Sequence, residues 1–228
     1  MKFYDAMIEA ARVATAATDA AMGALEARTA VDEDDLNPVL MTELSVAFRG
    51  LQIGGLTWKC SVLRHRGGVA AEEKEYGADL LMQVALDTPQ QKYSKGVFVQ
   101  AKKVTPGRAM APKAHRELIQ QCNTMLSHTP SAFVFNYSTI GVRCASASKI
   151  AGSAQRNLHA ACDMTAYHFY RDLFLCTIGD PSWKAPRSAT LRAAGTRGVD
   201  VIRLVGEGNL DMDETPSVDV PPRPRDRD

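Results

Sequence analysis

Acidic residues are almost missing from a long middle stretch of this 228-residue chain. Between residues 88 and 162 there is one, Glu117, against ten Lys and Arg, so the stretch carries +9. Residues 1–87 hold 14 acids against 8 Lys and Arg (−6), and residues 163–228 hold 11 against 9 (−2), so the net charge of +1 hides a strong asymmetry. A cationic block of this kind suits a polyanionic partner. Cysteines are few: Cys60, Cys122, Cys144, Cys162 and Cys176 are odd in number and scattered. With no C-x-x-C and no clustered histidines, a zinc site and a disulfide framework are both excluded, and free thiols in a reducing cytoplasm are expected. Long apolar runs are missing, which excludes a helical membrane span, and the N-terminus lacks the basic start and apolar core of a secretory leader. No glycine-rich loop precedes a Lys-Ser/Thr pair, which removes the usual ATP-binding signal. No G-x-S-x-G or arranged Cys/His pair supports acyl transfer.

The remaining composition, 45% hydrophobic and 23% charged, is that of an ordinary globular chain with a real core. Phe3, Met7, Ala10, Ala14, Ala17, Ala21 and Leu25 recur at three- and four-residue steps, which predicts a helix over 2–29 that packs on the body or on a partner, including a second copy of the chain. The acidic run 32–35 with Asn37-Pro38 breaks the chain and favours the start of a second helix, expected over 39–51. Strands are predicted over 57–63, 78–86, 96–103, 132–137, 140–145 and 199–205. Helices are predicted over 112–128 and 158–175, with a shorter one over 188–195. From Gly206 the chain turns polar and proline-rich and reads as a disordered tail. The expected fold class is α/β: a central mixed sheet flanked by helices. The expected organisation is a helical extension over 1–35, a main domain over 36–205 and the tail over 206–228.

One pair of strands carries chemistry. In Val97-Phe98-Val99-Gln100-Ala101-Lys102-Lys103, alternation puts Gln100 and Lys102 on one face. About twenty residues earlier, Gly77-Ala78-Asp79 opens an apolar run, where a carboxylate is costly unless paired or metal-bound. Pairing the two strands brings Asp79 near Gln100 and Lys102. A carboxylate and an amide oxygen are hard ligands that suit Mg²⁺ or Mn²⁺. Glu43, on or near the apolar face of the second helix, is the candidate third acidic group, and Glu75, four residues before Asp79, is its competitor. Lys102 is suited to orient a water or to meet charge that develops on a phosphate.

The segments K-E-Y-G-A-D-L-L at 74–81 and V-F-V-Q-A-K-K at 97–103 resemble the PD-(D/E)xK, or restriction-endonuclease-like, nuclease superfamily, in its variants with Q-x-K for E-x-K. The resemblance covers about residues 40–145. It implies a restriction-endonuclease-like core, catalysis by Glu43, Asp79, Gln100 and Lys102, and metal binding by the first three. It also implies an accessory glutamine from the following helix, with Gln121 ahead of Gln120. Lys103, Arg108, Lys113 and Arg116 of the basic block are the expected nucleic-acid contacts. The implied activity is Mg²⁺-dependent endonucleolytic cleavage of DNA. Domains that it resembles are frequent in bacterial anti-phage defence proteins, usually fused to a motor or sensor, so a role against phage or mobile elements, with a separate sensor or motor protein as partner, is implied. Ala78 stands where the superfamily often has proline, and the neutral Gln100 lowers the charge of the site. A second expectation therefore stands beside the first: a nucleic-acid-binding or assembly subunit that cuts only with a partner protein.

Overall fold

The computed structural model describes residues 1–27, 29, 30, 32–64, 76–183 and 199–210. The chain is α/β. Two helices come first, α1 (Phe3–Glu26) and α2 (Glu33–Phe48), then β1 (Gln52–Ile53), β2 (Leu56–Leu63), β3 (Leu80–Asp87) and β4 (Lys92–Lys103). Helix α3 (Pro112–His128) leads to β5 (Ala132–Ser138) and β6 (Gly141–Ser146). Short helices α4 (Ala147–Ala151) and α5 (Leu158–Ala161), strand β7 (Met164–Thr165), α6 (Ala166–Phe174), a 3₁₀ turn (Pro181–Trp183) and β8 (Asp200–Gly208) complete the described chain.

All eight strands form one mixed sheet in the order β1-β2-β8-β3-β4-β5-β6-β7. β3 and β4 are an antiparallel hairpin, β4 and β5 run parallel across α3, and β8 inserts parallel to β3. Alternation sorts the side chains into two cores. Val97, Val99 and Ala101 of β4 join Leu80, Met82 and Val84 of β3 beneath α1, α2 and α6. Phe98 of β4 joins Leu81, Ala132 and Val134 against α3, α4 and α5.

The N-terminal helix is built into the first core. Ala6, Met7, Ala10, Ala14 and Ala21 are buried, and α1 lies against α2 and α6. Small side chains let the helix backbones approach closely. Its apolar stripe is covered within the chain, so the stripe supplies no surface for a second copy.

Three local expectations are corrected. α2 begins at Glu33 and runs through Pro38, because Asp32 caps it by accepting from Asp35 N–H at 3.1 Å and Leu36 and Leu40 bury its inner face. The helix expected over 158–175 is interrupted: Thr165 caps a new helix by accepting from His168 N–H, and Met164–Thr165 pairs with β6 instead. β8 reaches Gly208 and Leu210 is buried, so the structured chain extends past residue 205. The segments 188–195 and 211–228 lie outside the described residues. No described helix is long and apolar enough to cross a membrane.

Candidate functional site

The site forms where β4 outruns β3. Leu80 pairs with Val99, so residues 100–103 continue past the first residue of β3. On that side the Ala101 N–H has no strand partner. The Asp79 carboxylate takes its place: Oδ2 accepts from Ala101 N–H at 2.8 Å. The same oxygen accepts from Gln100 Nε2. Asp79 is 7% exposed and Gln100 1% exposed, so both sit inside the protein. Gln100 Nε2 also meets Ala101 O at 3.1 Å, while its Oε1 is buried with no hydrogen-bond partner among the described residues. A buried carbonyl oxygen left unsatisfied costs on the order of 1–3 kcal/mol, so this one calls for a water, an ion or another ligand.

The turn before Asp79 is shaped by closeness. Gly77 adopts φ +65°, and a Cβ there would fall 2.5 Å from the backbone oxygen of Gln121 on α3. Only glycine suits both conditions. The close approach brings Gln121 to the turn that carries Asp79. Gln121 is half-buried, and its Oε1 too lacks a partner among the described residues. Burial pushes the Cys122 thiol on α3 up to about 12, and the Lys102 ammonium partly offsets that shift.

Lys102 shares the Gln100 face and is partly exposed. Its Nζ lies 3.6 Å from Glu33 Oε1 in the first turn of α2. That turn is fixed over the strand ends by one buried long-range bond, Tyr137 OH donating to Asn37 Oδ1 at 2.8 Å. The acid brought to Lys102 is therefore Glu33 and not Glu43. Ten helical residues separate the two, about 15 Å along the axis. Glu43 is half-buried and makes no hydrogen bond or ion pair among the described residues. The acidic run at 32–35 was legible as a helix start, but nothing local marks Glu33 as the member that meets Lys102. Glu75 lies outside the described residues.

Beside these groups a cleft of about 680 Å³ is lined by Glu33, Lys102, Lys103, Arg108, Glu117 and Gln121, among others. Lys103 and Arg108 are exposed, as expected of cations that meet a polyanion. Lys113 and Arg116 are exposed on α3 outside the cleft lining, and Lys113 is within 3.9 Å of Glu117. Gln120 is exposed and also outside it.

Asp79, Gln100 and Lys102 thus meet at one place, with Gln121 nearby and Glu33 across Lys102. Among the described residues no group of three His, Cys, Asp or Glu side chains gathers as a metal cage. The site offers one carboxylate, Asp79, beside one amide oxygen without a partner. Two further residues escaped the sequence reading, Asn136 and His159. Asn136 is the register partner of Lys102 on β5 and bonds to His159. Neither belongs to a recognisable spacing. Comparison with family models, with curated proteins and with solved structures gives no match to this chain.

Proposed function

We propose that the chain is a divalent-metal-dependent endonuclease with a restriction-endonuclease-like core, acting on DNA. The observation that carries this reading is the junction of Asp79, Gln100 and Lys102 at the open end of β4, beside a cleft whose exposed cations are Lys103 and Arg108. A buried carboxylate and an unpartnered amide oxygen are the hard donors that Mg²⁺ or Mn²⁺ takes, so the residues present fit such an ion. Asp79 and Gln100 would hold it, with Glu33 as the nearest further acid in place of Glu43. A bound cation of this class polarises a phosphate oxygen and makes a coordinated water more acidic.

The remaining work falls to the protein. Lys102 donates to a non-bridging phosphate oxygen, or to the attacking water, from a position that Glu33 steadies. Lys103 and Arg108 hold the flanking phosphates by charge, so binding weakens as salt rises. The resemblance of the two motifs supports a role in defence against phage or mobile elements. Plasmid DNA incubated with purified protein and Mg²⁺ or Mn²⁺ is expected to be nicked or cut, and chelation or Lys102→Ala is expected to stop it. Cleavage that persists at full rate in the Lys102→Ala protein would sink the reading.

One observation favours a second reading. Each reactive group already has a partner: Gln100 donates to Asp79, and Lys102 faces Glu33. A site whose acid and lysine are both engaged at rest suits an enzyme that opens only when a sensor or motor protein binds. DNA binding without cleavage across a range of metals, followed by cleavage once such a partner is added, would decide for it.

A further inference from the structure

Asn136 sits across from Lys102, on the same face of the adjacent strand, and is fully buried. Both ends of its amide are engaged. Oδ1 accepts from Val104 N–H at 3.0 Å, where the chain leaves β4. Nδ2 meets Nδ1 of His159 at 3.3 Å. The first bond fixes the sense of the second. A backbone N–H can only donate, so the amide must turn its oxygen to Val104 and its N–H to the histidine. Nδ1 of His159 must then accept, which leaves the ring proton on Nε2.

His159 is half-buried, and the segment that bears it leans on the wall of the cleft. Met110, a lining residue, donates its N–H to Arg156 O at 2.8 Å. His159 Nε2 has no partner among the described residues. The register partners of Asn136 are both cations, Lys102 on β4 and Arg143 on β6, and Arg156 lies three residues before His159. The nearby acid Asp163 is held by Lys149 at 2.8 Å.

We propose that Asn136 holds His159 as the Nε2–H tautomer, which makes the ring a hydrogen-bond donor to a backbone phosphate of nucleic acid that runs out of the cleft along its Met110 wall. His159 is the contacting residue and Asn136 the positioning residue. The inference rests on the nuclease reading for its ligand but not for its tautomer. A neutral imidazole donor adds a directed contact beside a cleft whose cations are the longer side chains of Lys102, Lys103 and Arg108.

The test has two arms. Long-range ¹H–¹⁵N spectra of the full chain report the tautomer directly, and the Nε2–H pattern is expected for His159. An Nδ1–H pattern would overturn the proposal. In the second arm, a short fluorescent DNA duplex is titrated in chelator, so that no cleavage intervenes. His159→Ala is expected to weaken binding roughly tenfold, the usual size of one hydrogen bond to a charged group. His159→Gln, whose Nε2–H₂ stands near the same place, is expected to restore most of it. Equal affinity for wild type and His159→Ala, where Arg108→Ala weakens binding, would overturn the phosphate contact. Failure of the wild type to bind any duplex would overturn the phosphate contact too and would count against the nuclease reading. The spectra would still judge the Asn136–His159 pair by itself.

Discussion

Two lysines of β4 have opposite lives. Lys95 and Lys102 are seven residues apart, so alternation sends them to opposite faces of the sheet. Lys95 is 4% exposed, and its Nζ donates to Ile178 O at 2.6 Å. Its stem lies against Gly179, where a Cβ would fall 2.6 Å from it. Burial holds its pKa below the usual lysine range, with the neighbouring Cys176 thiol pulling the other way. Lys102 is partly exposed and meets a side-chain carboxylate, beside a buried acid and two amide oxygens that lack partners among the described residues. Lys95 therefore ties the loop after α6 to the sheet, whereas Lys102 meets Glu33 at the edge of the cleft. Burial alone would single out Lys95, whereas the nuclease reading singles out Lys102 from its neighbours.

The comparison is broken most sharply by exchanging the effects of the two lysines. Lys102→Ala is expected to lower the cleavage rate by about 10²–10³ with little change in thermal midpoint. Lys95→Ala is expected to leave cleavage near wild type but to destabilise the fold by about 2 kcal/mol, from lost packing and an orphaned carbonyl. Urea unfolding beside plasmid assays checks both, and a reversed pattern would refute the assignment. A smaller effect separates the two helical acids. Glu33→Gln is expected to slow cleavage about tenfold by loosening Lys102, while Glu43→Gln leaves the rate unchanged. Rates measured at saturating metal distinguish them.

The smallest effect concerns the Lys95 end. Asp180 accepts from Ser182 and Thr129, which lowers its pKa below the usual 3.8. A depressed carboxylate adds stability above its unfolded value and loses it as pH falls through the folded one. Between about pH 5 and about pH 3, wild type is thus expected to lose stability more steeply than Asp180→Asn. Thermal scans across that range check it, and parallel slopes would refute it.

Much of this was legible before any coordinates. The shared face of Gln100 and Lys102 follows from alternation within one strand, and the neighbouring Asp79 from a hairpin with a short connection. Helix α3 matches its expected span, 112–128, because Pro112 opens it and one apolar stripe runs its length. The second helix was harder. Asn37-Pro38 reads locally as a break, yet packing of Leu36 and Leu40 carries the helix through it.

The sequence by itself determined the α/β class, the two-faced sheet and the pairing of an acid with a glutamine and a lysine, because periods of two and of 3.6 residues are local properties. Only the tertiary structure decided that Glu33 meets Lys102, that the N-terminal helix is core, and that Asn136 grips His159. Each depends on which helix turn docks over which strand end. That docking is set by contacts such as Asn37 with Tyr137, a hundred residues apart in the chain, which no local pattern records.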